Sequence, residues 1–208
     1  MELTEALARR RMVRSFSGRP VDAQVVEGIV ARALAAPSAG NTRGWDAVLL
    51  VGEEETAPFW SATTTADWRV RSRRWPGLAR APVVVALFAH PGAYVARYAE
   101  PDKAGAPGGD PRGRLGEDAA AWPVPYWFVD AAFGAMALLL GAAGAGLGAC
   151  FLGNFRGEEG LREALGVPHD RRYVGAVLLG EPGGDDPRSA SLEGPRRARS
   201  SMVHRGRW

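Results

Sequence analysis

FVDAAFGAMALLLGAAGAGLGACFLGNF, residues 128–155, is the most apolar stretch of this chain. From Ala131 to Leu152 it is mostly alanine, leucine and glycine, with little bulk. It reads as a buried helix, Tyr126 to Gly144, running into a strand, Leu147 to Leu152. No apolar run in the chain is taken as long enough to span a membrane. The glycines of GAAGAGLG (141–148) stand at the helix end, where small residues let neighbours pack closely. They do not form a GxGxxG turn after a strand, and no Walker loop is present.

Working outward, Val83 to Ala89, opened by Pro82, is the clearest buried strand, and Tyr173 to Leu179 is another, closed by Gly180, Glu181 and Pro182. Ala47 to Val51 is a further strand-like run. A first helix begins at Leu3 and ends near Arg11. Asp22 is placed to cap a second, whose apolar face is Val25, Val26, Ile29, Val30, Ala33 and Leu34, stopped by Pro37. Residues 53–75 read as helical, and a short helix runs Glu158 to Leu165. Residues 101–125, with Pro101, Pro107, Pro111, Pro123, Pro125 and several glycines, read as a flexible loop acting as a lid. Helices with one apolar side and a few strands imply an α+β sheet flanked by helices. The alternation is too irregular for a doubly wound nucleotide fold.

Length and composition fit one domain over 1–208: 208 residues, 46% hydrophobic and 24% charged. The opening MELTEALARRRMVRSF lacks the apolar core of a signal peptide, and the single cysteine, Cys150, rules out an internal disulfide. A cytoplasmic location is expected. Arginines cluster at 9–11 with Arg14, at 69–74 and in the basic tail 195–208, yet the formal net charge is only +3. No zinc or helix-turn-helix pattern accompanies them and acidic residues are interleaved. A small anionic ligand held from both chain ends therefore fits at least as well as nucleic acid.

Protein-borne catalytic chemistry is poorly represented. His90, His169 and His204 are scattered, Cys150 lies in apolar LGACFLG, and neither a GxSxG elbow nor an HExxH pair occurs. A chain with these gaps and basic termini suggests a borrowed cofactor.

RRMVRSF (10–16), APSAGNTRGW (36–45), the stretch 128–155, LREALGVPHDRRYVGAVLLGEP (161–182) and RRARSSMVHRGRW (196–208) together resemble the nitroreductase family. That family reads R-x-S-x-R/K-x-F and then A-P-S-x-x-N-x-Q-P-W. The resemblance implies a nitroreductase-like fold with a central, mostly antiparallel sheet. It also implies an intertwined homodimer with FMN in the interface, each site drawing on both chains. By position, Arg10, Arg197 and Arg199 correspond to phosphate contacts, and arginine forks suit a phosphate dianion. Two residues apart in an extended tail, the last two side chains point the same way. Arg14 corresponds to the cation beside the flavin pyrimidine edge. Ser38 and Asn41 move towards the ring or ribityl chain, and Gly153 and Asn154 match the place where a backbone N–H faces flavin N5. Arg11, Met12, Pro37, Arg43 and Phe151 fall around the same cofactor. Asp130 is a lone acid on an apolar helix, either near the flavin or an ordinary paired acid.

The implied activity is ping-pong transfer of hydride from NAD(P)H through FMN to a small organic acceptor such as a nitroaromatic, a quinone or an unsaturated metabolite. Membranes and nucleic acid are not implied partners. Two departures stand out. Met12 replaces the family's phosphate-binding serine, at a cost of about 1–2 kcal/mol for one lost hydrogen bond. Arg43 and Gly44 replace Gln-Pro. These leave open a non-catalytic FMN carrier or an enzyme that fragments reduced flavin. The tryptophans at 60, 68, 75, 122 and 127 fit stacking on a flat substrate and packing equally well.

Overall fold

A computed structural model describes residues 2–103, 111–153, 156–186 and 202–208. In chain order the elements are α1 (Leu3–Arg9), α2 (Ala23–Ala33), β1 (Trp45–Val51), α3 (Gly52–Thr63), α4 (Ala66–Arg71), α5 (Trp75–Ala79), β2 (Val83–Ala89), α6 (Pro91–Tyr98), α7 (Tyr126–Gly144), β3 (Gly148–Leu152), α8 (Glu158–Ala164) and β4 (Arg172–Gly180). The strands form one antiparallel sheet in the order β1-β2-β4-β3.

Every residue of β2 is buried because both sheet faces are covered. Alternation along the strand sends Val83, Val85 and Leu87 towards α2 and α7. Val84, Ala86 and Phe88 go to the opposite face, with Phe59, Trp60, Leu78 and Leu161. On α7, Ala131, Gly134, Ala135, Leu138, Leu139 and Ala142 are buried at helical spacing. Small side chains bring α7 close to its neighbours. A Cβ on Gly141 would lie 3.0 Å from Ile29 Cγ2, and one on Gly148 would lie 2.9 Å from Val13 Cγ2. Asp22 caps α2 as expected, accepting from the Gln24 N–H at 2.8 Å.

Three expectations are corrected, and one helix is added. By length and composition α7 is apolar enough to cross a bilayer, but one side is core and it carries Asp130, so it is built into the protein interior. Residues 53–75 are three helices. The hydroxyls of Thr63 and Thr64 turn back to the carbonyls of Phe59 and Trp60, and Thr65 caps α4 by accepting from Trp68 N–H. Residues 111–125 contain 3-10 turns at Pro111–Gly116 and Ala119–Ala121. Trp122 is buried against Tyr94, Tyr98 and Trp127 and donates to the Leu115 carbonyl, so this part is pinned to the body. Finally, α6 was not anticipated, although Pro91 at its first turn is a standard helix start.

Candidate functional site

Arg10 ends α1, and the chain then runs extended beside the outer edge of β3. Met12 forms a parallel bridge with Ala149, and Val13 N–H donates to the Ala149 carbonyl at 2.9 Å. The Met12 sulfur accepts from Phe151 N–H at 3.4 Å, and the Met12 carbonyl accepts from Arg14 Nη1 at 3.1 Å. Met12 therefore seats this strip on the sheet. The next residues are tied from the other side. Arg14 N–H and Ser15 N–H both donate to Asp186 Oδ1, at 2.8 and 3.1 Å. Ser15 Oγ bonds Asp185, and Arg80 donates to Ser15 Oγ and the Phe16 carbonyl. The Ser15 hydroxyl, with help from Arg80, holds the Asp185 carboxyl below the usual carboxylate range.

At the head of the strip lies a cavity of about 200 Å³ walled by Arg9, Arg10, Arg11, Val13, Leu139 and Ala143 among others, with no acidic residue in its wall among the described residues. Arg10 is one of its wall residues, and its Nη1 is buried without a hydrogen-bond partner among the described residues. A buried cationic donor left unpaired is costly. At the other end of β3, Leu152 and exposed Gly153 border a second cavity of about 180 Å³, completed by Thr63, Thr64, Thr65, Trp68 and Arg156. Five strand residues, about 17 Å, separate the two ends. Phe151 lies between, half-buried. Cys150, behind it, is buried, and burial raises its thiol, opposed by the positive charges of Arg14 and Arg74.

The APSAGNTRGW segment builds a different place. Ser38 Oγ accepts from Arg43 N–H at 2.9 Å, and Asn41 N–H donates to the Ser38 carbonyl at 2.9 Å. Gly40, Asn41 and Arg43 all have positive φ (63°, 55° and 53°). Ser38 is half-buried, while Pro37, Asn41 and Arg43 are exposed. Beneath the loop sits Asp130, 1% exposed, whose Oδ2 accepts from Ala39 N–H at 2.8 Å and from the Tyr94 hydroxyl at 2.6 Å. Arg97 Nε donates to the Gly40 carbonyl at 2.9 Å. Burial, reinforced by the Asp130 hydrogen bond, pushes the Tyr94 hydroxyl far above its ordinary range.

Within one chain the expected site residues thus form two groups. Arg10, Arg11, Met12, Arg14, Phe151 and Gly153 line β3. Pro37, Ser38, Asn41 and Arg43 surround the start of α7, with Asp130 beneath them and engaged by protein donors. The Arg10 cavity reaches Ala143 and the loop rests on Asp130, thirteen residues earlier on the same helix. That is about 20 Å at 1.5 Å per residue. Asn154, Arg197 and Arg199 lie outside the described residues. Sequence reasoning missed Tyr94, Arg97, Asp185 and Asp186 as the residues holding the two groups, and it missed the cavity with Thr63, Trp68 and Arg156. Leu3 and Leu7 on α1, Val25 on α2, and Phe133 and Met136 on α7 are exposed apolar side chains.

Comparison with known proteins places this geometry. Residues 7–181 match the nitroreductase family. A protein of Archaeoglobus fulgidus named as an NADH dehydrogenase/NAD(P)H nitroreductase is 25% identical over 210 residues, covering 100% of this chain and 99% of that protein. A nitroreductase family protein from Clostridium difficile superposes with TM-score 0.69 at 16% identity, covering 100% of both chains. A nitroreductase from Exiguobacterium sibiricum, solved in complex with FMN, gives TM-score 0.68 at 18% identity over 98% of this chain and 97% of that one.

Proposed function

The chain belongs to the nitroreductase family, and from that premise we propose an FMN-dependent NAD(P)H oxidoreductase acting on a small organic acceptor, working as a homodimer. The observation that carries this is a cavity walled by three arginines, one of which, Arg10, has its buried Nη1 without a partner among the described residues. Such a donor set fits a terminal phosphate dianion, which FMN has and riboflavin lacks. FMN held there would supply two-electron chemistry between NAD(P)H and the acceptor, in a ping-pong cycle.

The residues supply position and charge. Arg10 and its neighbours hold the phosphate, with Arg197 and Arg199 of the tail assigned to the same group. The strip Met12–Ser15, fixed by Asp186 and β3, lays Arg14 along the sheet edge. There its charge would favour the more negative, reduced form of a flavin whose pyrimidine edge it faced. Gly153, with no side chain, leaves the strand end open for close approach. The cavity beside it, with the Trp68 indole, suits a flat acceptor.

Two observations support the dimer. The Ser38 loop and the Arg10 cavity stand about 20 Å apart along α7, so one chain does not bring both to one small cofactor. The exposed apolar side chains of α1, α2 and α7 would give a second copy an apolar surface to cover. A two-fold pairing would then set the loop of one protomer against the strip of its partner.

Purified protein should be yellow, run as a dimer by light scattering, release FMN rather than FAD, and bleach on NADH or NADPH under nitrogen. A colourless monomer that takes up no added FMN contradicts the proposal. A yellow dimer that neither nucleotide bleaches contradicts the enzymatic part alone.

A further inference from the structure

We infer that Asp130 is a positioning residue that sets the conformation of the Ser38–Arg43 loop and, through it, cofactor affinity, without touching the cofactor. The second half of this inference rests on the proposed role of that loop in the flavin site.

Asp130 is the only charged side chain in α7 and is almost fully buried. A buried carboxylate survives only when hydrogen bonds replace its water. Both donors available to it converge on one oxygen, Oδ2: the Ala39 N–H from the loop and the Tyr94 hydroxyl from α6. Among the described residues no lysine or arginine pairs with it. The acid therefore serves as a joint between a helix of the core, a second helix and a loop.

The loop needs such a joint. Asn41 and Arg43 adopt left-handed backbone conformations that side-chain-bearing residues occupy at a cost, and such conformations persist only where surrounding contacts over-determine them. The contacts here are specific. Asp130 takes the Ala39 amide, and Arg97 takes the Gly40 carbonyl while its other nitrogens pair with Glu100 and Asp102. The Tyr98 ring packs so close that a Cβ on Gly40 would lie 2.8 Å from its Cε2. Tyr94, whose hydroxyl binds Asp130, packs its ring on Gly44 so that a Cβ there would overlap it. Ser38 Oγ closes the turn on Arg43 N–H. The side chains of Asn41 and Arg43 point outward and are free to meet a ligand, whereas Asp130 is sealed beneath.

Asp130→Leu removes the joint at similar volume. Asp130→Asn keeps one oxygen able to accept both donors, and Tyr94→Phe removes one donor only. Hydrogen exchange on cofactor-free protein reads the loop directly, and FMN titration reads the consequence. Asp130→Leu is expected to expose the Ala39–Arg43 amides to fast exchange and raise the FMN Kd about 10-fold or more, the loss of one charge-assisted hydrogen bond network. Asp130→Asn should restore most of both, and Tyr94→Phe should fall between. If Asp130→Leu does not fold, Tyr94→Phe and Asp130→Asn decide. Unchanged exchange in Tyr94→Phe overturns the inference. Faster exchange with an unchanged FMN Kd also overturns it, since the loop then does not act on the cofactor. If the wild-type chain binds no FMN, the proposed function fails, and the exchange arm alone shows whether Asp130 holds the loop.

Discussion

Arg10→Ala should weaken FMN binding by about 100- to 1000-fold while changing riboflavin binding by less than about 3-fold, since two charge-assisted hydrogen bonds to phosphate are worth about 3–4 kcal/mol and each 1.4 kcal/mol is tenfold. The two ligands differ only in the phosphate, so their comparison isolates what the guanidinium does. The same substitution should not destabilise the cofactor-free protein. Arg10 Nη1 is a buried donor with no partner there, and removing an unsatisfied group relieves a cost of about 1 kcal/mol or more. A variant that binds less FMN yet melts no lower than wild type when cofactor-free would be the signature of a residue kept for its ligand. Fluorescence titration with both flavins checks the first part and a thermal melt the second. Equal losses for FMN and riboflavin would remove Arg10 from the phosphate site.

Gly134→Val should lower stability by about 3 kcal/mol, a Tm drop of roughly 6–12 °C for a chain of this size. Gly134 sits on the core side of α7, and a Cβ there would lie 2.4 Å from Cζ2 and 2.7 Å from Cη2 of Trp45. Trp45 is 7% exposed and starts β1, paired across to Ala89 of β2. The indole is therefore held by the sheet and has little room to withdraw. Replacing a helical glycine otherwise helps, by up to about 1 kcal/mol for alanine. The sign of the effect thus tests the contact. Trp45→Phe in the same chain should recover part of the loss, because the smaller ring vacates the space. A Gly134→Val protein that melts with wild type would show that α7 does not press on β1 as described.

The parts of the fold that were legible are those where one physical signal dominates. β2 and β4 declare themselves as apolar runs because both sheet faces are covered. α7 declares itself as a long apolar run of small residues that ends in the glycines of GAAGAGLG. α6 was not legible. Of its eight residues Tyr94 alone is buried, and its role depends on partners 36 residues away in sequence, on α7. The break of 53–75 into three helices turns on threonine hydroxyls competing for backbone groups, which a periodic pattern does not display. The proline and glycine content of 101–125 pointed to a flexible loop, but in the described part, 111–125, Trp122 packs against the body.

The site divides in the same way. Arg10, Arg14, Ser38 and Asn41 were visible as residue types in a motif, and Asp130 was visible as an isolated acid. That Arg10 would be left unpaired, and that Asp130 would be used up by Ala39 and Tyr94, depends on tertiary placement. So does the separation of the two groups along α7. Met12, read as a lost phosphate donor, also gains a place on the edge of β3 through Ala149 and Phe151.

The division of the site between two chains can be measured by subunit mixing. One chain carries Arg10→Ala and the other Ser38→Gly with Asn41→Gly, which removes the loop's polar side chains while tolerating its backbone. Each homodimer alone should bind little FMN at a concentration that saturates wild type. After subunit exchange at equal amounts, half the dimers are mixed, and each holds one site with both defects and one with none, so about a quarter of wild-type FMN binding should return. Recovery of that order is the expected result. A mixture that binds no more FMN than the sum of its parts would place Arg10 and the Ser38 loop in the same site of a single chain, or in no common site at all.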